Sequence, residues 1–287
     1  MKKLTSIRIV TDSTADIPQS VRQELGIEMV PLKVNIDGET YLDNVTLHPD
    51  QFYQMLPRAT VLPKTSQPSP ADFLDTYHRI LTEDPDTHIL SIHLSSRFSG
   101  TYQSATIARS MLEDETKVTV LDSKTVTYGE GVLVTTAAEM ARNGSDLESI
   151  LEKLAEIRRN TQVYFLVDTL EYLQKGGRIG KASAILGSLL NIKPILSIDN
   201  DGEVFSLDKV RGNKRAVARI LELMKQEFAG EPVKVMVEYT DSQLPADQIA
   251  GLIHGNMNVS SMDYTWIGPV IGTHVGPGTL GVIVTRV

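Results

Sequence analysis

Four short segments carry the side chains best suited to chemistry in this sequence. Near the end of the chain, Ile267-Gly-Pro-Val-Ile-Gly-Thr-His-Val-Gly-Pro-Gly-Thr-Leu-Gly281 sets one imidazole, His274, among glycines and prolines. Glycine permits sharp turns and close approach, and proline removes backbone freedom. The pattern predicts a histidine fixed in a turn between two strand-like runs, 267–271 and 280–284. Two hydroxyl-rich segments, Thr65-Ser66-Gln67-Pro68-Ser69-Pro70 and Ser95-Ser96-Arg97-Phe98-Ser99-Gly100-Thr101, each lead into a predicted helix. Hydroxyls and free N–H groups at a helix start favour an anion, although simple N-capping leaves the same trace. Two such segments together with one fixed imidazole point to an anion site. The fourth segment, Leu170 to Arg178, places Gly176-Gly177 directly before an arginine. That arrangement can aim a guanidinium at a carboxylate or phosphate; equally, it can end a helix and leave Arg178 in solvent.

Several other chemistries are missing. There is no cysteine, so disulfides, thiolate metal sites and cysteine nucleophiles are excluded together. The six histidines lack ligand spacing for a metal, and His93, on an apolar run, reads as a satisfied core residue. Gly276-Pro-Gly-Thr-Leu-Gly281 spells a dinucleotide fingerprint but runs into a β-branched strand instead of a helix. Around Gly180-Lys181 a phosphate loop fails twice, at Lys175 and at Ala182. No nucleophile elbow is present. A hydrolase or transferase pairing a serine with His274 as base remains open. Asp12-Ser13, Asp122-Ser123 and Asp241-Ser242 all follow strand-like runs, where side-chain capping explains them.

The elements that must position these residues fall into two patterns. In the first half, strands at 7–11, 88–93 and 117–121 alternate with helices at 17–25, 70–81 (capped by Ser69), 102–112, 131–142 and 146–159, which implies a parallel sheet covered on both faces. From about residue 161 the order changes. A strand at 163–167 precedes short helical pieces at 169–174 and 182–190, and a hairpin turns at Asp199-Asn-Asp-Gly202. A helix with strong periodicity at 211–228, a strand at 233–238, a helix at 245–257 and two closing strands follow. The expected fold is α/β in two domains: an N-terminal parallel-sheet domain, 1–160, and a smaller α+β domain, 161–287, with a ligand between them.

At 287 residues the chain can bury a sizeable core. Its net charge of −8 argues against nucleic acid as a partner. No apolar run is long enough for a membrane span, and the start lacks the apolar stretch of a signal peptide, so a cytoplasmic protein without stable membrane insertion is expected.

With these segments assembled, the chain resembles the DegV family of bacterial fatty-acid-binding proteins that serve fatty acid kinase. The resemblance runs almost end to end. It rests on Thr11-Asp-Ser-Thr-Ala-Asp16, Thr65-Ser-Gln-Pro-Ser69, Ser95-Ser96 with Ser99-Gly-Thr-Tyr102, Asp122-Ser123, Leu170 to Arg178, Ile192-Lys-Pro-Ile195 and Gly272-Thr-His-Val-Gly-Pro-Gly278. It implies a lipid carrier, not an enzyme, with no cofactor beyond one long-chain fatty acid buried between the domains. The carboxyl group would be presented to a separate ATP-using kinase that makes acyl phosphate for phospholipid synthesis. By the same resemblance, Thr65, Ser96 and His274 bind the carboxylate, with Ser66 and Ser95 as alternatives among neighbouring hydroxyls, and Arg178 supports phosphoryl transfer. Candidate tunnel residues are 184–190, Phe98, Ile267 and Ile271. Arg97-Phe98 departs modestly from the family pattern by placing bulk in a variable position.

Overall fold

Three sheets and the helices that cover them build the molecule, in a computed structural model that describes residues 6–188 and 192–287. The first sheet is parallel. Ile7–Asp12 lies between Glu28–Val30 and His88–His93, and Val118–Asp122 completes the row. These strands are apolar on both sides because helices cover both faces. Leu133, Val134 and Ala137 of helix Tyr128–Arg142 meet Ile9, Leu90 and Ile92 on one face. Phe73, Tyr77 and Ile80 of helix Pro70–Glu83 meet Val10 and Ile89 on the other. Ser69 starts the latter helix with a full capping box, its hydroxyl on the Asp72 N–H and the Asp72 carboxylate on its own N–H.

The second sheet has six strands, and the first of them in sequence begins at Thr161. Strands Val204–Arg211, Ile192–Ile198, Thr161–Leu166, Leu280–Arg286 and Val233–Tyr239 run antiparallel to their neighbours, and Val259–Trp266 closes the edge parallel to Val233–Tyr239. Helices Asn213–Phe228 and Leu244–His254 bury Ile220, Met224, Phe228, Ile249 and Ile253 against it. The expected hairpin at Asp199–Gly202 is present.

A third, three-stranded antiparallel sheet, order Glu39–Leu42, Lys33–Ile36, Lys64–Ser66, was not foreseen, and it carries Thr65. The segment before His274 also departs from the expectation. Residues 267–271 do not form a strand; Pro269–Val275 is a helix, with Pro269 at its first turn and His274 in its last. Five of the seven residues of this helix are buried and none is exposed, so it shows no polar face for periodicity to reveal. It packs on helix Pro49–Met55, where the Tyr53 hydroxyl donates to the Ile267 carbonyl at 2.8 Å. The segment expected as helix at 182–190 is 3₁₀ over Gly180–Ser188; 189–191 lie outside the described residues. Among the described residues no helix is long and apolar enough to cross a membrane.

Candidate functional site

Where the three sheets meet, a cavity opens that bounds about 840 Å³ of non-atom space, its mouth included. Most of its wall is hydrocarbon. Leu94, Phe98 and Val126 come from the parallel-sheet side, and Val163, Phe165, Ile198 and Val204 from the six-stranded sheet. Ile267, Val270, Ile271 and Val275 come from the helix that bears His274 and the residues just before it. Polar groups enter chiefly through Thr65, Ser66, Gln67, Ser99, Arg178 and His274.

Thr65 and His274 form the centre of that polar group. Thr65 Oγ1 lies 2.8 Å from His274 Nε2. The other ring nitrogen, Nδ1, is buried without a partner. It rests on the backbone of Gly176, where any β-carbon would collide with it. A buried N–H left unpaired is rarer than a buried unpaired acceptor, so the ring fits best with its proton on Nε2. In that tautomer Nε2–H donates to Thr65 Oγ1, and the Thr65 hydroxyl proton is free to point into the cavity. Burial, reinforced by the charge of Arg178, pushes the imidazole pKa down to about 4, so the ring is neutral at physiological pH.

The Gly-Gly pair ends a helix, as one reading of the Gly-Gly-Arg segment expects. Gly177, at φ +70°, ends helix Glu171–Lys175; the Arg178 N–H returns to the Leu173 carbonyl and the Gly177 N–H to that of Gln174. Yet Arg178 is not left in solvent. Its Nε donates to the Phe98 carbonyl at 3.0 Å and its Nη1 to the Gly176 carbonyl at 2.8 Å, which fixes the guanidinium in the cavity wall.

The two neighbouring serines are placed differently from the sequence expectation. Ser95 is fully buried and its hydroxyl donates to the Gly202 carbonyl at 2.9 Å. Ser96 is exposed, and its hydroxyl donates to Asp122 Oδ2 at 2.6 Å. Neither lines the cavity; from that segment Ser99 and Phe98 do. The loop turns there, with the Phe98 N–H on the Ser95 carbonyl, and the turn decides which hydroxyl faces inward. Ser66 lines the cavity beside Thr65 but is exposed. Of the tunnel candidates, Phe98, Ile267 and Ile271 line the cavity, and Ile185 and Leu186 pack in the same apolar cluster behind it.

The remaining candidates serve the frame. His93 is fully buried between Ser91 Oγ, at 2.7 Å, and Asp12 Oδ2, at 3.1 Å. Asp12 and Asp122 accept the N–H groups of Thr14 and Lys124, as capping requires. Among the described residues no group of three or more His, Cys, Asp or Glu could hold a metal ion.

Two buried acids missed by sequence reading flank the site. Asp43 accepts from Ser13 Oγ at 2.7 Å and lies near the Val270 N–H, at the start of the His274 helix. Glu238 accepts from the Tyr128 N–H at 2.7 Å. Burial raises each to about 7. A carboxyl whose folded pKa exceeds its unfolded value gives stability that is present in acid and lost as pH climbs from about 4 to about 7, at roughly 1.4 kcal/mol per pH unit for each group. Asp43→Asn should therefore raise the thermal midpoint more at pH 8 than at pH 5. Equal shifts at both values in a calorimetric scan would show that Asp43 is not held neutral by the fold.

A profile described as "Uncharacterised protein, DegV family" matches residues 6–287. The chain belongs to the DegV family. Protein DegV of Bacillus subtilis is 37% identical over 279 residues, covering 96% of this chain and 98% of the relative. Among solved structures, a fatty-acid-binding DegV protein from Thermus thermophilus superposes with a TM-score of 0.92 at 37% identity, covering 98% of this chain and 100% of that one. The crystal structure of Bacillus subtilis DegV, described as a fatty acid binding protein, gives 0.88 at 36% identity over 99% and 100%. A stearic acid-binding protein from Eubacterium ventriosum gives 0.88 at 27% identity over 98% of each chain. This mixed α/β fold is thus the DegV fold, and its DegV relatives include several described as binding fatty acids.

Proposed function

We propose that this protein binds a long-chain fatty acid in the cavity and presents its carboxyl group to a separate fatty acid kinase, without carrying out a reaction of its own. The observation that carries the proposal is the pairing of an apolar chamber with a cluster of neutral donors. Hydrocarbon transfer is worth about 0.8 kcal/mol per buried CH₂. Fourteen methylenes would therefore give on the order of 11 kcal/mol before ordering costs, so the head group needs only modest anchoring. A carboxylate without partners would be costly to bury, and one that receives several hydrogen bonds is tolerated. The Thr65 hydroxyl and the His274 Nε2–H, which turns from Thr65 Oγ1 to the ligand on binding, supply the nearest donors, with the hydroxyls of Ser66 and Ser99 beside them. Ser95 supports the same wall from behind by tying its loop to Gly202.

The Thr65–His274 pair also has the form of a hydroxyl and its base, with threonine where the rival reading expects serine. A working base is normally oriented by a third group. Here Nδ1 meets Gly176 and no carboxylate, which favours carriage over hydrolysis. In the proposed role the acyl phosphate formed by the kinase enters phospholipid synthesis in the cytoplasm. Arg178, already fixed at the cavity, would then stabilise charge on the transferring phosphoryl group.

Native mass spectrometry of protein purified from bacteria separates these readings. A co-purifying fatty acid supports the carrier; a ligand-free protein that turns over esters supports the hydrolase. Arg178→Ala is expected to keep fatty-acid affinity within about threefold while slowing kinase-coupled phosphorylation by at least tenfold, since a transition-state contact acts on rate more than on binding. Equal phosphorylation rates for variant and parent would remove Arg178 from the transfer step.

A further inference from the structure

Glu238 is the sole carboxylate among the described residues of the cavity wall, and the carrier role leaves it unused. It stands on strand Val233–Tyr239 directly across from Gly281, which pairs in turn with Phe165; all three residues line the cavity. The side chain is 2% exposed. Its Oε1 accepts from the Tyr128 N–H, the first residue of helix Tyr128–Arg142. Its Oε2 lies 3.0 Å from the place a Gly281 β-carbon would occupy, so glycine there leaves the wall open beside the carboxyl.

We propose that Glu238 is a ligand-selecting position: a hydrocarbon chain is accepted against its neutral carboxylic acid and refused by its carboxylate, so that loading draws one proton into the wall. The proposal rests on the fatty-acid reading of the cavity. In the unloaded cavity, the little water that reaches Glu238 favours its ionised form. A bound chain expels that water and leaves the ion facing methylene groups with only the Tyr128 N–H and the Thr127 hydroxyl as partners, which disfavours the charge. The acid is already pushed up to about 7 by burial, and a chain would drive it further in the same direction. Linkage then requires the converse: ionising Glu238 must weaken binding.

The surrounding groups do not oppose this. Asp16, Tyr53 and Tyr128 are each raised, chiefly by burial and further by the charge of Glu238, so all three favour neutral forms around it. His274 is already neutral above about 4, so it does not titrate near pH 7. Asp43 does titrate near 7, but it does not line the cavity.

The test is calorimetry of laurate binding at pH 6.5, 7.5 and 8.5, in buffers of different ionisation enthalpy. It is run on the parent, on Glu238→Gln, which keeps an acceptor for the Tyr128 N–H, and on Asp43→Asn. The parent should take up close to one proton and lose affinity by roughly tenfold over the upper half of the range, where one coupled proton permits at most tenfold per pH unit. Glu238→Gln should flatten that slope, and Asp43→Asn should retain it. The ligand's own titration is common to all three proteins and cancels in the comparison. If Glu238→Gln does not fold, the proton count on the parent and the slope of Asp43→Asn decide. Laurate bound with no proton uptake, or with the same slope in parent and Glu238→Gln, overturns the role of Glu238 and leaves the carrier reading standing. No laurate binding at any pH overturns both.

Discussion

Alanine in place of His274 is expected to weaken long-chain fatty-acid binding by roughly 10- to 100-fold, the cost of removing one hydrogen bond to a charged group and stranding its partner. Two effects combine. The Nε2 donor disappears, and Thr65 Oγ1 loses the neighbour 2.8 Å away that fixes its hydroxyl. The fold should survive, because the ring is half-buried and its Nδ1 makes no hydrogen bond whose loss would be felt. Titration calorimetry with stearate, beside circular dichroism of the same preparations, checks both parts. Unchanged affinity in a folded variant would take His274 out of the head-group site.

Gly176→Ala should have an effect of similar size without touching a cavity donor. The added methyl would occupy the position of His274 Nδ1, with the Tyr172 carbonyl 3.0 Å away on its other side. The peptide cannot easily yield, since its own N–H is tied to that carbonyl and its carbonyl to Arg178 Nη1. The imidazole must therefore leave its place opposite Thr65. Gly177→Ala is the control. Its β-carbon meets open space, but φ is +70°, so the cost of about 1–2 kcal/mol falls on stability and not on the ligand. Paired measurements of affinity and thermal midpoint should therefore separate the variants: loss of binding for Gly176→Ala, loss of stability for Gly177→Ala. Full affinity in Gly176→Ala would mean that the close packing of glycine on imidazole does not set the site.

How far the sequence discloses this arrangement depends on the signal each element carries. Helix Pro70–Glu83 announces itself through Ser69, Pro70 and Asp72, local chemistry that needs no tertiary context. The parallel strands are apolar runs between helical periods, and the hairpin carries its own turn at Asp199–Gly202. By contrast, the sheet that bears Thr65 is built from strands of three or four residues, too short for alternation to register. One clue was available: Asp37-Gly38, both at positive φ, is a hairpin dipeptide. The His274 helix hides for the opposite reason, being seven residues buried almost all round. Residue type alone cannot choose among Ser95, Ser96 and Ser99, because a single turn of the loop decides which hydroxyl meets the cavity. Glu238 could have been flagged as a lone acid at the end of the apolar run Val233-Lys-Val-Met-Val237.

The most direct measurement is a crystal structure of the protein with a long-chain fatty acid bound. The expected result is continuous density for the hydrocarbon between Phe165 and Ile271, with the head-group oxygens within hydrogen-bond distance of Thr65 Oγ1 and His274 Nε2. Density for the ligand elsewhere, or a carboxyl group turned away from both residues, would contradict it.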